Sequence, residues 1–201
     1  MPPLDSFKRS VLRVITAGLL LPTFVAWWAP DGERLLNLSS RALVGSGADV
    51  MIAGFVIEPG PEKEILVRAI GPALGGYGVQ NPLQDPVLQI VYANGRMIAS
   101  NVGWPEVLAE KFAEVGAFAL GPGSADAALV AKLAPGAYTA VARSVQDGTW
   151  GNALIEIYDL AGVARLSNLS TRANVQANDS LVIAWRSSPP DQTGSDSPMT
   201  T

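Results

Sequence analysis

Carboxylates are the natural place to look for chemistry here, because the chain has no histidine and no cysteine. Histidine is the usual general base near neutral pH and the commonest metal ligand, and cysteine is the thiol nucleophile and soft ligand. Losing both excludes Ser-His-Asp and Cys-His catalysis, ordinary zinc sites, disulfides and histidine-held haem. Carboxylate pairs, serine–lysine pairs and oxygen-ligated calcium remain. Glycoside hydrolysis needs two carboxyl groups roughly 5–10 Å apart in a cleft. Glu106, Glu110 and Glu114 recur at spacing four, which is the ordinary pattern of a solvated helix face. Glu156 and Asp159 fall on or just past a strand, and no Asp-x-Asp-x-Asp-Gly calcium loop is present. No catalytic residue, metal ligand or cofactor is therefore assigned, and the chain is expected not to be an enzyme.

Aromatic residues in loops offer the best opening for a ligand. Tyr77, Trp104 and Trp150 all fall in expected loops or turns, where aromatics are less easily explained as core. Sugar rings stack on exposed rings through the forces that also drive aromatic packing. The alternative is that each ring plugs one end of a sandwich. Gly71, Gly75, Gly76 and Gly78 could bring backbone amides to an anion. They lack the following Lys-Ser/Thr of a phosphate-binding loop, so they read as turn glycines. Arg41 and its counterpart Arg172 read as arginines that pair with a carboxylate at a sheet edge, their stems on apolar surface.

The elements that carry these residues are short apolar runs divided by turn residues, the pattern of an all-β domain. Strands are expected over residues 50–57, 64–70, 87–92, 96–101, 127–133, 137–145 and 152–159. Asn94-Gly95 is a strong hairpin signal, and Pro135-Gly136 and Asp147-Gly148 supply further turns. One helix is expected over residues 105–115, with Val107, Leu108, Phe112 and Val115 as its apolar stripe. A glycine- and proline-rich loop spans 71–86. The fold class expected is an antiparallel two-sheet β-sandwich, jelly-roll or immunoglobulin-like, with one short helix. Strand alternation puts Tyr138, Ala140 and Ala142 on one side and Thr139, Val141 and Arg143 on the other, and the charge of Arg143 points to the second side as the outward one.

Organisation is set by a repeat. Ten of the twenty residues from 34 to 53 recur without a gap 131 positions later, from 165 to 184. Arg-Leu-Leu-Asn-Leu-Ser-Ser-Arg-Ala returns as Arg-Leu-Ser-Asn-Leu-Ser-Thr-Arg-Ala. A period so far above the roughly 20–50 residues of a solenoid unit marks a domain repeat. Residues 34–160 form one sandwich module, and 165–186 form the opening strands of a second. Two strands alone are marginal in water, so the half-repeat must hide Leu166, Leu169, Val175, Leu181, Ile183 and Trp185. Packing back on its own sandwich is expected, giving a monomer; strand exchange into a neighbouring molecule is the alternative.

The ends of the chain differ in character from this module. Residues 1–29 read as a signal peptide or N-terminal anchor, with Lys8, Arg9 and Arg13 ahead of an apolar run too short to span a bilayer. The chain is expected to be secreted or held at the bacterial cell surface, touching membrane only through this segment. Its formal charge of −4 and the lack of a basic block argue against nucleic acid as a partner. Residues 187–201 are rich in Ser, Pro, Asp and Thr and are expected to be a disordered tail.

Two resemblances follow from particular segments. Asp85-Pro86-Val87-Leu88-Gln89-Ile90 with Asn94-Gly95-Arg96-Met97-Ile98-Ala99-Ser100-Asn101 resembles one end of the bacterial pre-peptidase C-terminal domain. Leu133-Ala134-Pro135-Gly136-Ala137-Tyr138-Thr139-Ala140-Val141 resembles its other end. The module as a whole, including Asn37-Leu38-Ser39-Ser40-Arg41-Ala42, Leu66-Val67-Arg68-Ala69-Ile70-Gly71-Pro72 and Tyr158-Asp159-Leu160, is more similar to uncharacterised tandem repeat modules of secreted bacterial proteins. The resemblance implies a β-sandwich with a buried Tyr138 and a structural or adhesive role, with carbohydrate binding through loop aromatics as the alternative. Partners would be extracellular glycan or other surface proteins. Such modules often carry acidic residues around the Asn-Gly turn, but here Tyr92 and Ala93 precede it and Val102-Gly103 follows Asn101. No ion site is carried over.

Overall fold

A computed structural model describes residues 37–161, 164–173 and 183–187, all within one compact unit, Gly32–Thr201. The expected signal segment and C-terminal tail lie outside the described residues. In chain order the strands are β1 (Asn37–Val44), β2 (Met51–Ile57), β3 (Lys63–Ile70), β4 (Pro86–Tyr92) and β5 (Met97–Val102). After helix α1 (Ala109–Glu114) come β6 (Ala127–Leu133), β7 (Gly136–Ser144), β8 (Gly151–Ala161), β9 (Leu166–Arg172) and β10 (Ile183–Ser187). They build two five-stranded sheets, ordered β10-β1-β8-β3-β6 and β5-β4-β7-β2-β9. Every pairing between these strands is antiparallel. The described residues form an all-β two-sheet sandwich with one short α-helix.

Side-chain alternation builds the core between the sheets. In β2, Met51, Ala53, Phe55 and Ile57 point inward, and in β7 Tyr138, Ala140 and Ala142 are buried while Thr139, Val141 and Arg143 are half-exposed. The Tyr138 ring stacks on Phe55 at 5.6 Å, and its hydroxyl donates to the Ala134 carbonyl at 2.6 Å. That bond ties the turn before β7 to the core. Asn94-Gly95 turns β4 into β5, with Gly95 at φ 81°, a conformation that favours glycine. Asn94 accepts the Arg96 amide within the same turn.

β3 breaks the alternation because it is covered on both faces. Seven of its eight residues are buried, which a strand in an open two-layer sandwich would not show. The cover is a second apolar cluster of Leu66, Ile70, Leu74, Phe112, Leu120, Ala128 and Tyr158 on the outer face of the first sheet. α1 supplies Phe112 to it. The single helix expected over 105–115 is instead a 3₁₀ turn, Glu106–Leu108, leading into α1. A 3₁₀ turn advances about 3.0 residues per turn, not 3.6, which rotates Val107 out of the apolar stripe, and it is 78% exposed. The 71–86 loop likewise holds a 3₁₀ helix, Pro72–Tyr77.

Residues after that helix cross the end of the first sheet and wedge Leu83 into the core. The Leu83 amide donates to the Asn152 carbonyl at 2.8 Å, and the Asn152 amide to Asn81 at 2.7 Å. Gly71 and Gly151 permit this crossing, since a Cβ at either would strike the Leu83 backbone.

The two sides of the sandwich close differently. On one side the edge strands β5 and β6 are laced together: Asn101 Nδ2 donates to the Ala128 carbonyl at 2.7 Å, and the Ala128 amide donates to Gly103 at 3.1 Å. On the other side the second copy of the repeat covers the first. β9, the counterpart of β1, pairs with β2, and β10, the counterpart of β2, pairs with β1. Leu166 of β9 enters the main core.

Gly151→Ala is expected to lower stability by about 1–3 kcal/mol through overpacking against Leu83. Gly76→Ala, where an added Cβ meets nothing, is expected to stay within about 0.5 kcal/mol of the parent. Urea midpoints of the three chains check both; equal midpoints for the two variants would contradict the wedge.

Candidate functional site

The outer cluster on the first sheet is organised by a buried arginine. Arg68 on β3 lies directly opposite Glu156 on β8, so their side chains share the outward face of the sheet. The Arg68 side chain has no solvent exposure, and its Nε lies 3.0 Å from Glu156 Oε2. That approach lacks the alignment of a hydrogen bond, so it is chiefly Coulombic. Arg68 Nη1 donates to the Phe118 carbonyl at 2.7 Å. The guanidinium lies between two rings, 4.7 Å from Phe112 and 4.4 Å from Phe118. Contacts of this kind stabilise a desolvated cation. Arg68 Nη2 has no hydrogen-bond partner among the described residues.

Glu156 also accepts a hydrogen bond, from the Tyr158 hydroxyl at 2.9 Å from Oε1. Burial pushes the Glu156 carboxyl above its ordinary 4.5, while Arg68 and the Tyr158 hydrogen bond pull it down. Burial, with Glu156 alongside, also raises the Tyr158 phenol. A carboxylic acid with a raised pKa can serve as a general acid, but it needs a second carboxylate nearby to run glycoside hydrolysis. The remaining buried carboxylates are committed elsewhere. Asp159 Oδ1 lies 2.5 Å from buried Lys63, and Asp126 Oδ1 accepts the Gly71 and Ala73 amides at 2.7 and 3.3 Å. Glu106, Glu110 and Glu114 are exposed, and Glu114 pairs with Lys111 at 2.8 Å. Among the described residues no group of three or more acidic side chains converges as a metal site.

Aromatic contacts run outward from Arg68 in two directions. Phe118 meets Tyr77 edge-on at 4.9 Å, and Phe112 meets Trp104 at 5.3 Å. Tyr77, at the end of the Pro72–Tyr77 helix, is 63% exposed. It borders a cleft of about 280 Å³ lined by Ser39, Arg41, Leu74, Val79, Phe118 and Leu154. A more polar cleft of about 390 Å³ shares Arg41, Tyr77 and Val79 and adds Gln80, Asn81 and Asn152. Arg41 lies at both. No carboxylate among the described residues forms an ion pair with Arg41, which corrects the expectation of an edge salt bridge. Its β1 position places it opposite Leu154 and Ile183, so its ladder neighbours are apolar.

The three loop aromatics thus stand in three settings. Tyr77 faces a cleft. Trp104 is half-buried on Phe112, with its indole N–H donating to Ser124 Oγ at 3.1 Å. Trp150 is 44% exposed and lies over Gly45, where a Cβ would come within 2.9 Å of its ring. Sequence reasoning singled out Arg41 and Tyr77 but did not join them. It missed Arg68 and Phe118 as a site altogether; the available signal was an arginine inside the otherwise apolar run 65–70 of β3. No protein-family model matches the chain, and neither a curated protein nor a solved structure does.

The raised Glu156 pKa has a definite sign in stability. The folded state holds this proton more tightly than the unfolded chain, so the contribution is complete below about pH 4.5 and is lost as pH rises through the folded pKa. Glu156→Gln carries no such proton. Its stability deficit relative to the parent is therefore expected to narrow as pH rises from 4 to 8, measured by urea midpoints at each pH. A deficit that widens with pH would show that Arg68 outweighs burial and holds the group as an anion.

Proposed function

We propose that the chain is a non-enzymatic, exported β-sandwich module with a structural or adhesive role at the bacterial cell surface. One observation carries this reading. The buried carboxylates Asp126, Glu156 and Asp159 each serve a neighbour in the fold: two backbone amides, an arginine with a tyrosine, and a lysine. An acid with a structural partner on each side is poorly placed to turn over substrate, and such ion-pair networks are a known source of shifted pKa values away from active sites. Support for export comes from the basic and apolar character of residues 1–29. The resemblance to tandem modules of secreted bacterial proteins agrees with a repeat whose second copy is used to finish the first.

A second reading is favoured by the cleft at Tyr77. An exposed ring beside Arg41, with Gln80, Asn81 and Asn152 on the rim, offers a stacking surface and hydrogen-bonding groups for a sugar. In this reading the binding residue is Tyr77; Trp104 is occupied by Phe112 and Ser124, and Trp150 by Gly45.

Two measurements test these readings. Expressed with its N-terminal segment in a bacterial host, the chain is expected outside the cytoplasm and without glycosidase or esterase activity above a mock preparation. Activity abolished by Glu106→Gln or Glu156→Gln would replace the structural reading with an enzymatic one. On a glycan array, any specific binding is expected to fall by about tenfold or more in Tyr77→Ala, the loss of one to a few kcal/mol of stacking. It should persist in Trp150→Ala, and the reverse pattern would reject the Tyr77 cleft.

A further inference from the structure

We propose that the β1–β2 side of the sandwich is a self-recognition surface on which a second copy of this chain docks about a twofold axis, the β1 strand of each copy pairing with the β2 strand of the other. This names the partner for the structural role proposed above and rests on that role only for its biological use; the geometry rests on strand register.

The two ladders that join the repeat copies are the same ladder. On β1, Arg41 lies opposite Ile183, the counterpart of Ile52. On β2, Ile52 lies opposite Arg172, the counterpart of Arg41. Ser40 with Ala184 repeats as Thr171 with Ala53, and Ser39 with Trp185 repeats as Ser170 with Gly54. The registers part only beyond Gly54, where β2 and β9 slip at an irregularity. The first copy puts its leading strand in one sheet and its second strand in the other, and the second copy reverses them. A twofold axis produces this relation. β1 is therefore complementary to a β2-type strand, β2 is complementary to a β1-type strand, and one partner can satisfy both at once.

A second chain brings the strands from which that complementarity is copied. At β1 it offers Ile52 and Ala53 where the chain's own segment has Ile183 and Ala184, and Gly54 where that segment has Trp185. Opposite buried Leu38 it offers Phe55, which is itself buried on the inner face of β2. At β2 it offers Ser39 and Arg41 where Ser170 and Arg172 now lie. Gly54 leaves room for that serine: a Cβ there would come 2.5 Å from Ser170 Oγ. The opposite side of the sandwich is closed by the Asn101, Gly103 and Ala128 hydrogen bonds. Docking would run β6-β3-β8-β1 of one copy into β2-β7-β4-β5 of the other, leaving neither β1 nor β2 as an edge. The interface is isologous, so it closes at a dimer. The chain's own β9 and β10 compete from a high effective concentration, and the second copy gains where chains are crowded.

The full chain has no cysteine, which permits a covalent trap with Arg41→Cys and Ile52→Cys together. Both positions are half-buried on outward faces of strands in different sheets, out of reach of each other within one chain. In the docked dimer they are directly opposite, about 4.5–5.5 Å apart at Cα, within disulfide range. Under mild oxidation the double variant is expected to accumulate a two-bridge dimer at a rate that rises with concentration, and either single variant about tenfold less, because neither position faces its own copy. Adding proline at Ala184 and Trp185 removes whichever amide faces β1 and is expected to speed dimer trapping by about tenfold. A double variant that stays monomeric, single variants that trap as fast, or a ladder of trimers and higher species would each overturn the proposal. The cysteine pair alone decides the matter if the proline chain does not fold. None of these outcomes bears on export or catalysis, which the assays for the structural role read separately.

Discussion

An antiparallel sandwich has four edge strands, and each presents backbone N–H and C=O groups that must be paired, covered or left to water. In this chain that constraint governs the architecture. One pair of edges, β5 and β6, is sealed by hydrogen bonds that cross between the sheets. The other pair would be β1 and β2, two long strands whose inner faces are apolar except for Ser40. The half-repeat supplies the missing partners, one strand to each sheet. Repeating the opening strands of a module is an economical way to do this, because a strand that already belongs beside β2-like geometry needs no new register.

Edge closure also decides what the outer face can do. With β1 no longer an edge, its outward residues Ser39 and Arg41 become the floor of a cleft whose walls are the 72–81 segment and Phe118. Beneath the wall, Arg68 holds the covering loops to the sheet through the Phe118 carbonyl, two aromatic rings and Glu156. Removing one member of a buried ion pair typically costs about 3–5 kcal/mol, so the cover and the cleft depend on the same few side chains. Lys63 with Asp159 pins the other end of β3 to β8 in the same way.

Much of the fold was legible because the expected strands had local signals: a short apolar run in β2, alternation in β7, Asn-Gly between β4 and β5, and Pro-Gly before β7. The run in β2 reads as a strand covered on both faces, whereas it is buried on one face only. The repeat was legible because its two copies must present similar residues to similar neighbours. Which sheet each copy enters was not, since β1 and β9 carry nearly the same pattern yet lie in different sheets. The helix region misled at Val107, where a 3₁₀ turn changed the period. The candidate site was legible only in parts. Tyr77 stood out as a loop aromatic, but Arg68 meets Phe118 across 50 residues of sequence and meets Glu156 from farther still. Tertiary contacts of that range leave no local pattern, and a covered outer face cannot be inferred from strand alternation alone.

The two copies of the repeat meet β1 and β2 in one shared register, and interstrand nuclear Overhauser contacts in the full chain at low concentration read that register. Backbone contacts are expected between Ser40 and Ala184 and between Ala53 and Thr171, both within one molecule as judged from mixed isotope labelling. Contacts of Ser40 with Thr171 and of Ala53 with Ala184, or a β1 and β2 whose outer amides exchange as freely as loop amides, would contradict it.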